Sequence, residues 1–243
     1  MRRSISLFLL LLIASLSLKA QPHMSATIQN MHLWRGGEVA DGFVLTTDLH
    51  YSAMQERLKV GFWGGANGVG EYKEFNYYAS YSVGRLSLTL CDTYNFSSYA
   101  TYNNEEFFNY SPADTGRFLD ASLRYRVSDE YPLLISWSTV LFGRDRDASN
   151  SENRYSTFVS LEYPIYRNDG WQFDAGVGGA FALNNIDNSA NFYGDRGGIV
   201  ELTLKVSNSI KINEREIPIY MLMMWNPQSD KAYMQLCAQI LRF

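Results

Sequence analysis

The sequence predicts an all-β fold, a transmembrane antiparallel up-and-down β-barrel of about 12 strands, within a range of about 10 to 14. Three observations lead to this prediction. Segments of about ten residues alternate apolar and polar side chains along most of the chain. Long and short connections alternate between those segments, and the chain ends on an aromatic residue, Phe243. Because every backbone amide and carbonyl needs a partner in lipid, a sheet that spans a membrane closes on itself.

The clearest hairpin lies within residues 71–96. Apolar or aromatic side chains occupy every second position on both sides of Gly84-Arg85, with polar side chains between them. Period-two alternation is typical of a strand with one apolar and one polar face. Glycine at the first position of a two-residue loop favours a type II′ turn, whose twist matches that of the strands. The predicted cross-strand neighbours on the apolar face are Val83 with Leu86, Tyr81 with Leu88, and Ala79 with Leu90.

The same alternation predicts ten further strands. It is weak in the first segment, and it slips near the end of the last, where a bulge would restore the phase. In chain order, with apolar residues that are in phase, these strands are predicted at 27–36, 43–51 (Leu45, Leu49), 57–66 (Leu58, Val60), 117–127 (Leu119, Leu123), 131–142 (Leu133, Ile135), 154–164 (Val159, Leu161), 171–182 (Phe173, Val177), 197–207 (Val200, Leu202), 215–225 (Ile217, Met221) and 231–243 (Met234, Leu236).

Three long polar connections lie at residues 97–116, 143–153 and 184–196, and each follows an odd-numbered predicted strand. Because successive strands run in opposite directions, all three are expected at one end of the barrel. Both termini and most short turns are expected at the other end. Outer-membrane barrels have this asymmetry, with short periplasmic turns and long extracellular loops.

Acidic residues in two of these loops have two interpretations. They could bind Ca²⁺ or bridge lipopolysaccharide through their carboxylates. Arg144 and Arg146 interleave with them, however, which favours charges that compensate one another in a solvated loop. The acidic residues concerned are Asp145, Asp147, Glu152, Asp187 and Asp195.

Residues 1–20 have the pattern of a secretory signal peptide. Arg2 and Arg3 precede an apolar stretch at 7–13, and Ala20 is a small residue at the expected cleavage position. Residues 21–243 are then expected to form a single barrel domain in the outer membrane of a Gram-negative bacterium. The formal net charge of −4 argues against a nucleic-acid partner, since nucleic acid requires a basic face.

The chain has two cysteines, Cys91 and Cys237, which is too few for a disulfide scaffold. They lie in predicted strands far apart in sequence. Two isolated small side chains are favoured over a disulfide bridge or a metal pair.

The last three residues, Leu241-Arg242-Phe243, resemble the signal by which the barrel assembly machinery takes outer-membrane strands. The match is partial, because Ala238 stands where glycine is usual and Leu236 where a polar residue is usual. The expected partners are therefore this machinery, through Phe243, together with outer-membrane lipid and lipopolysaccharide. The oligomeric state is not determined by the sequence.

Several short segments resemble the TorF family of porin-like outer-membrane proteins. The similarity covers about two thirds of residues 21–243, extends weakly through 118–125 and 160–164, and is not seen in the last third. It implies a porin-like barrel and names no catalytic residue. The segments that carry it are Leu33-Trp34-Arg35-Gly36, Gly61-Phe62-Trp63-Gly64, Glu74-Phe75-Asn76-Tyr77-Tyr78-Ala79 and Tyr94-Asn95-Phe96.

Charged residues out of phase with the apolar faces are predicted to line the lumen. One interpretation is a polar channel with a weak cation preference, because rings of charge set selectivity. The other is a lumen closed by its own ion pairs, since a barrel of this size is intermediate between filled and open ones. The predicted lumen-lining residues are Asp48, His50, Lys59, Glu74, Asp120, Arg124, Arg126, Glu162, Asp174, Glu201 and Lys205.

Three functions remain open. The favoured one is a porin-like channel for small hydrophilic solutes, with no cofactor and no metal. The alternative is a non-conducting structural barrel whose extracellular loops bind a partner. The least favoured is an outer-membrane hydrolase at His50, because Asp48 lies two residues away in a strand, about 7 Å, too far to orient the imidazole directly. His23 is expected in an N-terminal tail, and His32 on a strand next to that of His50.

Overall fold

The computed structural model describes residues 21–184, 186 and 189–243, so the predicted signal peptide at 1–20 and Asp187 lie outside the described residues. Twelve antiparallel strands form a closed barrel, and two short strands form a separate hairpin. The predicted fold class and strand number are confirmed. The strands are β1 Gln21–Gln29, β2 His32–Trp34, β3 Gly37–Ala40, β4 Val44–Ala53, β5 Leu58–Asn67, β6 Lys73–Val83, β7 Leu86–Asn95, β8 Arg117–Arg126, β9 Leu134–Gly143, β10 Ser156–Asn168, β11 Trp171–Ala182, β12 Gly198–Ile212, β13 Arg215–Asn226 and β14 Lys231–Arg242.

The β6–β7 hairpin has the predicted register, with Val83 opposite Leu86 and Tyr81 opposite Leu88. Gly84 has φ +57°, the value that the first central residue of a type II′ turn requires. The in-phase apolar residues of this and the other barrel strands form the exposed outer wall, among them Leu45, Leu49, Val60, Phe62, Leu88, Leu161, Leu202 and Leu236. In the described part of the chain, no helix is long and apolar enough to cross a membrane.

The barrel has two unlike ends. The loop end carries the connections 30–43, 96–116, 144–155 and 183–197, together with two shorter ones. The turn end carries both described termini and the connections 54–57, 84–85, 127–133, 169–170 and 213–214. The prediction that the three long polar connections share one end is confirmed by the strand pairing.

The first strand differs from its prediction at 27–36. β1 spans Gln21–Gln29 and closes the barrel between β4 and β14. Residues 32–40 form the β2–β3 hairpin, which we call the inner hairpin. Its residues contact inward-facing side chains of β5, β8, β10 and β12, so it lies inside the lumen. The weak alternation of this segment follows, because a hairpin surrounded by protein has no lipid-facing side.

Two bulges change which side chains face inward. In β14, Gln239 and Leu241 pair with consecutive residues of β1, so Ile240 is bulged and the predicted phase slip is explained. In β12, the register with β11 shifts at Val200. Val200 is fully buried, whereas Ile199 and Leu202 are exposed. The expectation that Val200 belongs to the outer apolar face is therefore wrong, because the bulge turns it into the lumen.

The outer wall has one charged patch at the loop end. Asp92 and Arg117 are in phase with outward-facing residues, and they form an ion pair of 2.7 Å. The 96–116 connection folds over them: the Phe107 carbonyl accepts from Arg117 Nε, and Tyr110 donates to Asp92. The connection thus removes this pair from the surface that would otherwise meet lipid.

Candidate functional site

The inner hairpin is anchored at its tip by Arg35. Its guanidinium donates to both carboxylate oxygens of Asp120, over 2.6 and 3.0 Å, and also to Ser122. A bidentate arginine–carboxylate pair fixes orientation as well as distance. The Asp120 and Arg35 side chains are only 6% and 14% exposed, so the pair is shielded from solvent. Asp120 thereby holds the hairpin against β8.

Aromatic rings join the inner hairpin to the 183–197 connection. Arg35 also donates to the Tyr193 hydroxyl over 2.7 Å, and the Trp34 ring packs against Phe118, Phe192 and Tyr193. Burial raises the pKa of Tyr193 to about 12, so its hydroxyl stays protonated and neutral. The hairpin and this connection therefore form one packed unit at the loop end.

Gly36 allows the hairpin to approach the opposite wall. Its φ is +85°, and a Cβ at this position would lie 2.4 Å from the carbonyl oxygen of Val200. The Gly36 carbonyl accepts a hydrogen bond of 2.8 Å from the Asn226 side chain. Only glycine meets both the conformational and the steric demand here. The hairpin thus crosses the lumen from β8 to β12 and β13.

A cavity of about 510 Å³ lies between the inner hairpin and the inner faces of β5 to β8. It is lined by aromatic rings, including Trp34, Trp63 and Phe118, and by polar side chains. A volume of this size, with apolar walls and a few polar groups, is typical of small-molecule sites. We call it the lumen cavity.

Arg144 reaches the lumen cavity from the 144–155 connection. Its guanidinium carbon lies 3.7 Å from the ring centre of Tyr102, and the Phe118 and Phe192 rings are at 5.3 and 5.0 Å. Its Nε is buried and has no hydrogen-bond partner in the described part of the chain. Burial lowers the pKa of the Arg144 guanidinium. The sequence-based interpretation of a solvated arginine compensated by its neighbours is therefore wrong.

The neighbouring acidic residues of that loop are satisfied by other groups. Asp145 accepts hydrogen bonds from the backbone N–H and hydroxyl of Ser156, both 2.7 Å. Asp147 accepts from the backbone of Glu152 and neighbouring residues, and these bonds lower its pKa. Arg146 donates to Asn150 and Asn153. The loop is ordered by hydrogen bonds to its own backbone and amides, so Arg144 is left for the cavity.

Glu74, at the start of β6, faces the same cavity. Its two carboxylate oxygens accept hydrogen bonds from Asn76 over 2.8 Å and from Asn95 over 3.2 Å. Both donors are neutral amides. No ion pair of Glu74 is present among the described residues. Glu74 and Arg144 therefore border the same cavity without forming an ion pair, and the exposed Glu38 of the inner hairpin is a further carboxylate of its lining.

The other half of the lumen contains a histidine cluster. His23 lies on β1, not in a tail, and its ring stacks on His50 at 4.9 Å. His50 Nδ1 lies 2.5 Å from Asp48 Oδ1, so the expectation that these two are too far apart is wrong. Their side chains share the inner face of β4, and rotation of the imidazole closes the gap that separates the backbone positions. His32, in contrast, lies on the inner hairpin, away from this cluster.

The same cluster includes a serine, and its geometry bears on the hydrolase hypothesis. Ser52 Oγ lies 2.9 Å from His23 Nε2. Ser52 is 1% exposed, however, so a substrate carbonyl has no route to its hydroxyl. The Asp48–His50 pair contacts His23 by ring stacking, which transfers no proton. The arrangement therefore lacks an accessible nucleophile.

The remaining predicted lumen residues lie at several levels. Lys59 borders a pocket with His23 and His50 at the turn end, and Arg124 and Arg126 border another with Ser82 and Ser87. The remaining four, Asp174, Lys205, Glu162 and Glu201, lie on β10 to β12. Asp174 accepts a hydrogen bond from Gln172 and is opposite Lys205 in the strand register, and Lys205 Nζ lies 4.7 Å from the Tyr220 ring centre. Glu162 lies beside Gly176, and Glu201 lies beside Gly178. The predicted set is thus spread along the lumen, and only Glu74 and Asp120 border the lumen cavity.

Sequence reasoning missed Arg35, Arg144, Trp63 and Tyr193 as cavity residues. Trp63 is out of phase with Val60 and Phe62, which is a signal that places it inside. Arg35 and Arg144 lie in a hairpin and a loop, where period-two alternation carries no information. Cys91 and Cys237 are both free; Cys91 lies beside Thr93 and Cys237 beside Gln29.

No protein-family model and no curated protein matches the chain. Similar solved structures include a chain from a study of in-meso crystallization of membrane proteins, with TM-score 0.48, 11% identity, and coverage of 91% of this chain and 83% of that one. OccK1 (OpdK) of Pseudomonas aeruginosa has TM-score 0.36 and 12% identity, covering 88% and 60%. A BenF-like porin of Pseudomonas fluorescens Pf-5 has TM-score 0.32 and 10% identity, covering 91% and 70%. The fold assignment rests on the strand pairing described above.

Proposed function

We propose that this chain is a porin-like channel of a Gram-negative outer membrane, through which small hydrophilic solutes pass. One observation carries the proposal: a closed 12-strand barrel has an apolar outer wall and a polar inner wall around a cavity of about 510 Å³. An apolar belt is stable against lipid, and a polar lumen with open volume accommodates water and solutes.

The location of the protein follows from the same features. A signal peptide at 1–20 would direct export. The loop end would then face the cell exterior and lipopolysaccharide, and the turn end the periplasm. Phe243 follows β14, the strand that closes the barrel, and would present the recognition signal for the assembly machinery. The resemblance to TorF-family proteins agrees with this assignment.

The inner hairpin would act as the constriction of the channel. It crosses the lumen and is held by the Arg35–Asp120 pair and by the Gly36–Asn226 hydrogen bond. Arg144 adds positive charge at this level, whereas Arg35 is neutralised by Asp120, so we expect the weak cation preference of the wall to be reduced here. Because the hairpin crosses the lumen, the pore would be narrow.

Single-channel conductance in a planar bilayer tests the proposal. Residues 21–243 are compared with a variant in which residues 31–41 are replaced by a short glycine–serine turn. Removal of the hairpin opens the lumen where the hairpin crosses it, so we expect small discrete steps for the wild type and clearly larger steps for the variant.

Two further variants provide a matched control. Arg35→Ala releases the hairpin tip and is expected to increase conductance or open-channel noise. Arg85→Ala breaks an exposed ion pair with Asp129 at the turn end and is expected to change neither. If folded wild type and folded hairpin-deleted protein both fail to conduct, the channel proposal is overturned, and a non-conducting barrel with partner-binding loops takes its place.

A further inference from the structure

The Arg144 guanidinium is stacked against aromatic rings, and its N–H donors have no acceptor among the described residues. Three aromatic rings surround it, the closest being Tyr102 at 3.7 Å. Rings interact with the face of a guanidinium and leave its coplanar N–H donors unused. No hydrogen bond or ion pair of this side chain occurs in residues 21–184, 186 and 189–243. A guanidinium without acceptors in such surroundings is destabilising on its own, and a carboxylate would satisfy it in bidentate geometry.

The Glu74 carboxylate, near the start of β6, borders the same lumen cavity and is held by other groups. Asn76 and Asn95 donate to it from β6 and β7, and these two amides fix its position. Arg144 is fixed by rings from β8 and from two loop-end connections. The two groups form no ion pair with each other, although both border the same cavity.

The rest of the cavity lining includes aromatic rings and one ion pair. Trp34, Trp63 and Phe118 supply flat apolar walls, and the nearest buried cation, Arg35, is already neutralised by Asp120. Desolvation lowers the pKa of His32 to about 4, so its imidazole is neutral at physiological pH. The cavity therefore offers a guanidinium without an acceptor at Arg144, two carboxyl groups without an ion pair among the described residues, the buried Glu74 and the exposed Glu38, and an apolar surface to an occupant.

From this geometry we infer that the lumen cavity binds a small zwitterion, with its carboxylate on Arg144 and its ammonium group on Glu74. Aromatic walls would pack against the carbon skeleton of the ligand. As a substrate class for a channel, this rests on the proposed function, but binding itself is measurable on a barrel that does not conduct.

Calorimetry and tryptophan fluorescence on the detergent-solubilised barrel test the inference, since Trp34 and Trp63 border the cavity. Three matched probes are compared: phenylalanine, 3-phenylpropanoate, which lacks the amine, and phenethylamine, which lacks the acid. Each missing charge removes one charge-assisted interaction, so we expect phenylalanine to bind about 10- to 100-fold more tightly than either analogue.

Two variants assign each ligand group to its partner. In Arg144→Gln, phenylalanine and phenethylamine are expected to bind with equal affinity, because the acid has lost its partner. In Glu74→Gln, phenylalanine and 3-phenylpropanoate are expected to become equal. Arg146→Gln, in the same connection as Arg144 but bonded to Asn150 and Asn153, is the matched control and keeps the wild-type order.

Heat-modifiable migration on gels verifies that each variant is folded. If Arg144→Gln does not fold, Glu74→Gln alone is used for the test.

The inference is overturned if the wild type binds none of the probes at millimolar concentration, or binds all three equally. It is also overturned if folded Arg144→Gln retains the preference for the acid. Equal binding of phenylalanine and 3-phenylpropanoate to the wild type would contradict the role of Glu74. Absence of conductance together with this binding order would contradict only the channel.

Discussion

At the scale of single residues, the two arginines that border the lumen cavity, Arg35 and Arg144, are in opposite situations. Arg35 is paired in bidentate geometry with Asp120 and bonded to Tyr193, so both terminal nitrogens of its guanidinium have acceptors. Arg144 is stacked among rings and has no acceptor in the described part of the molecule. A buried charge with a partner holds two parts of the structure together. A buried charge without a partner destabilises the folded protein, and a bound ligand of opposite charge can remove that destabilisation.

Breaking the Arg35 anchor is expected to destabilise the barrel strongly. Removing one partner leaves the other charge shielded and unpaired, so Arg35→Ala and Asp120→Ala should each lower the free energy of unfolding by about 3 to 5 kcal/mol. The double variant should cost less than the sum, because no charge is then left alone. Urea titration in lipid vesicles measures this.

The exposed Arg85–Asp129 pair provides the comparison for that series. Its side chains are 46% and 85% exposed, so Arg85→Ala should cost less than about 1 kcal/mol. Strictly additive losses in Arg35→Ala and Asp120→Ala would show that the two side chains act independently and would contradict the anchor.

At the scale of elements, the inner hairpin determines how much of the lumen is open. It is a two-stranded hairpin of seven strand residues, too short to be stable alone. Its stability comes from the walls it touches: Arg35 on β8, Gly36 against Val200, and His32 against Trp63 and Tyr72. Such an element responds to any change in charge at those contacts.

Acidification is expected to weaken the contacts of the inner hairpin through His32. Its pKa falls from the usual value near 6.5 to about 4 in the folded protein, because the charged imidazole is desolvated there. The unfolded chain thus binds more protons between these values, and stability decreases as the pH falls through this window. Below about pH 4 this contribution stops growing.

Urea unfolding at pH 7 and pH 4.5 measures this effect. His32→Phe fills similar space without a titrating group, so the difference between the two pH values should be smaller in the variant than in the wild type. An equal pH dependence in both proteins would mean that His32 does not contribute.

At the scale of the whole molecule, the barrel separates an apolar outside from a polar inside. Leu88 is 46% exposed on the outer wall, whereas its neighbour Thr89 points inward and donates to Ser80. The closed sheet leaves no free edge, and the charged Asp92–Arg117 patch is covered by the 96–116 connection. A closed sheet with an apolar outer surface is the arrangement that a transmembrane barrel requires.

A pair of neighbouring substitutions tests that assignment in vesicles. Leu88→Arg places a charge against lipid and should cost about 2 to 4 kcal/mol of folding free energy if it lies near the bilayer midplane. Thr89→Arg places the same charge in the lumen, where water is available, and should cost clearly less. Equal costs in urea titrations of the two variants would contradict the orientation of β7.

Period-two alternation predicted a barrel of about 12 strands and the β6–β7 register, although it misplaced the first strand at 27–36, where the alternation is weak. The lengths of the connections and the parity of the strands predicted the common end of the long connections. Alternation indicates which side of a sheet each residue faces. A sheet in lipid has to close into a barrel, because the backbone N–H and C=O groups of a free edge would have no hydrogen-bond partner. For the same reason, alternation predicts that Glu74 and Asp120 face inward, and both border the lumen cavity.

Only the tertiary structure decided what fills the lumen. Residues 30–43 and 144–155 do not follow the strand period, so the positions of Arg35 and Arg144 depend on contacts across the barrel with Asp120, Phe118 and Phe192. The bulge that turns Val200 inward is likewise set by pairing with β11. Local sequence patterns predict the barrel wall, because successive side chains of a strand face lipid and lumen in turn. The cavity is formed by contacts between residues far apart in sequence, which no local pattern contains.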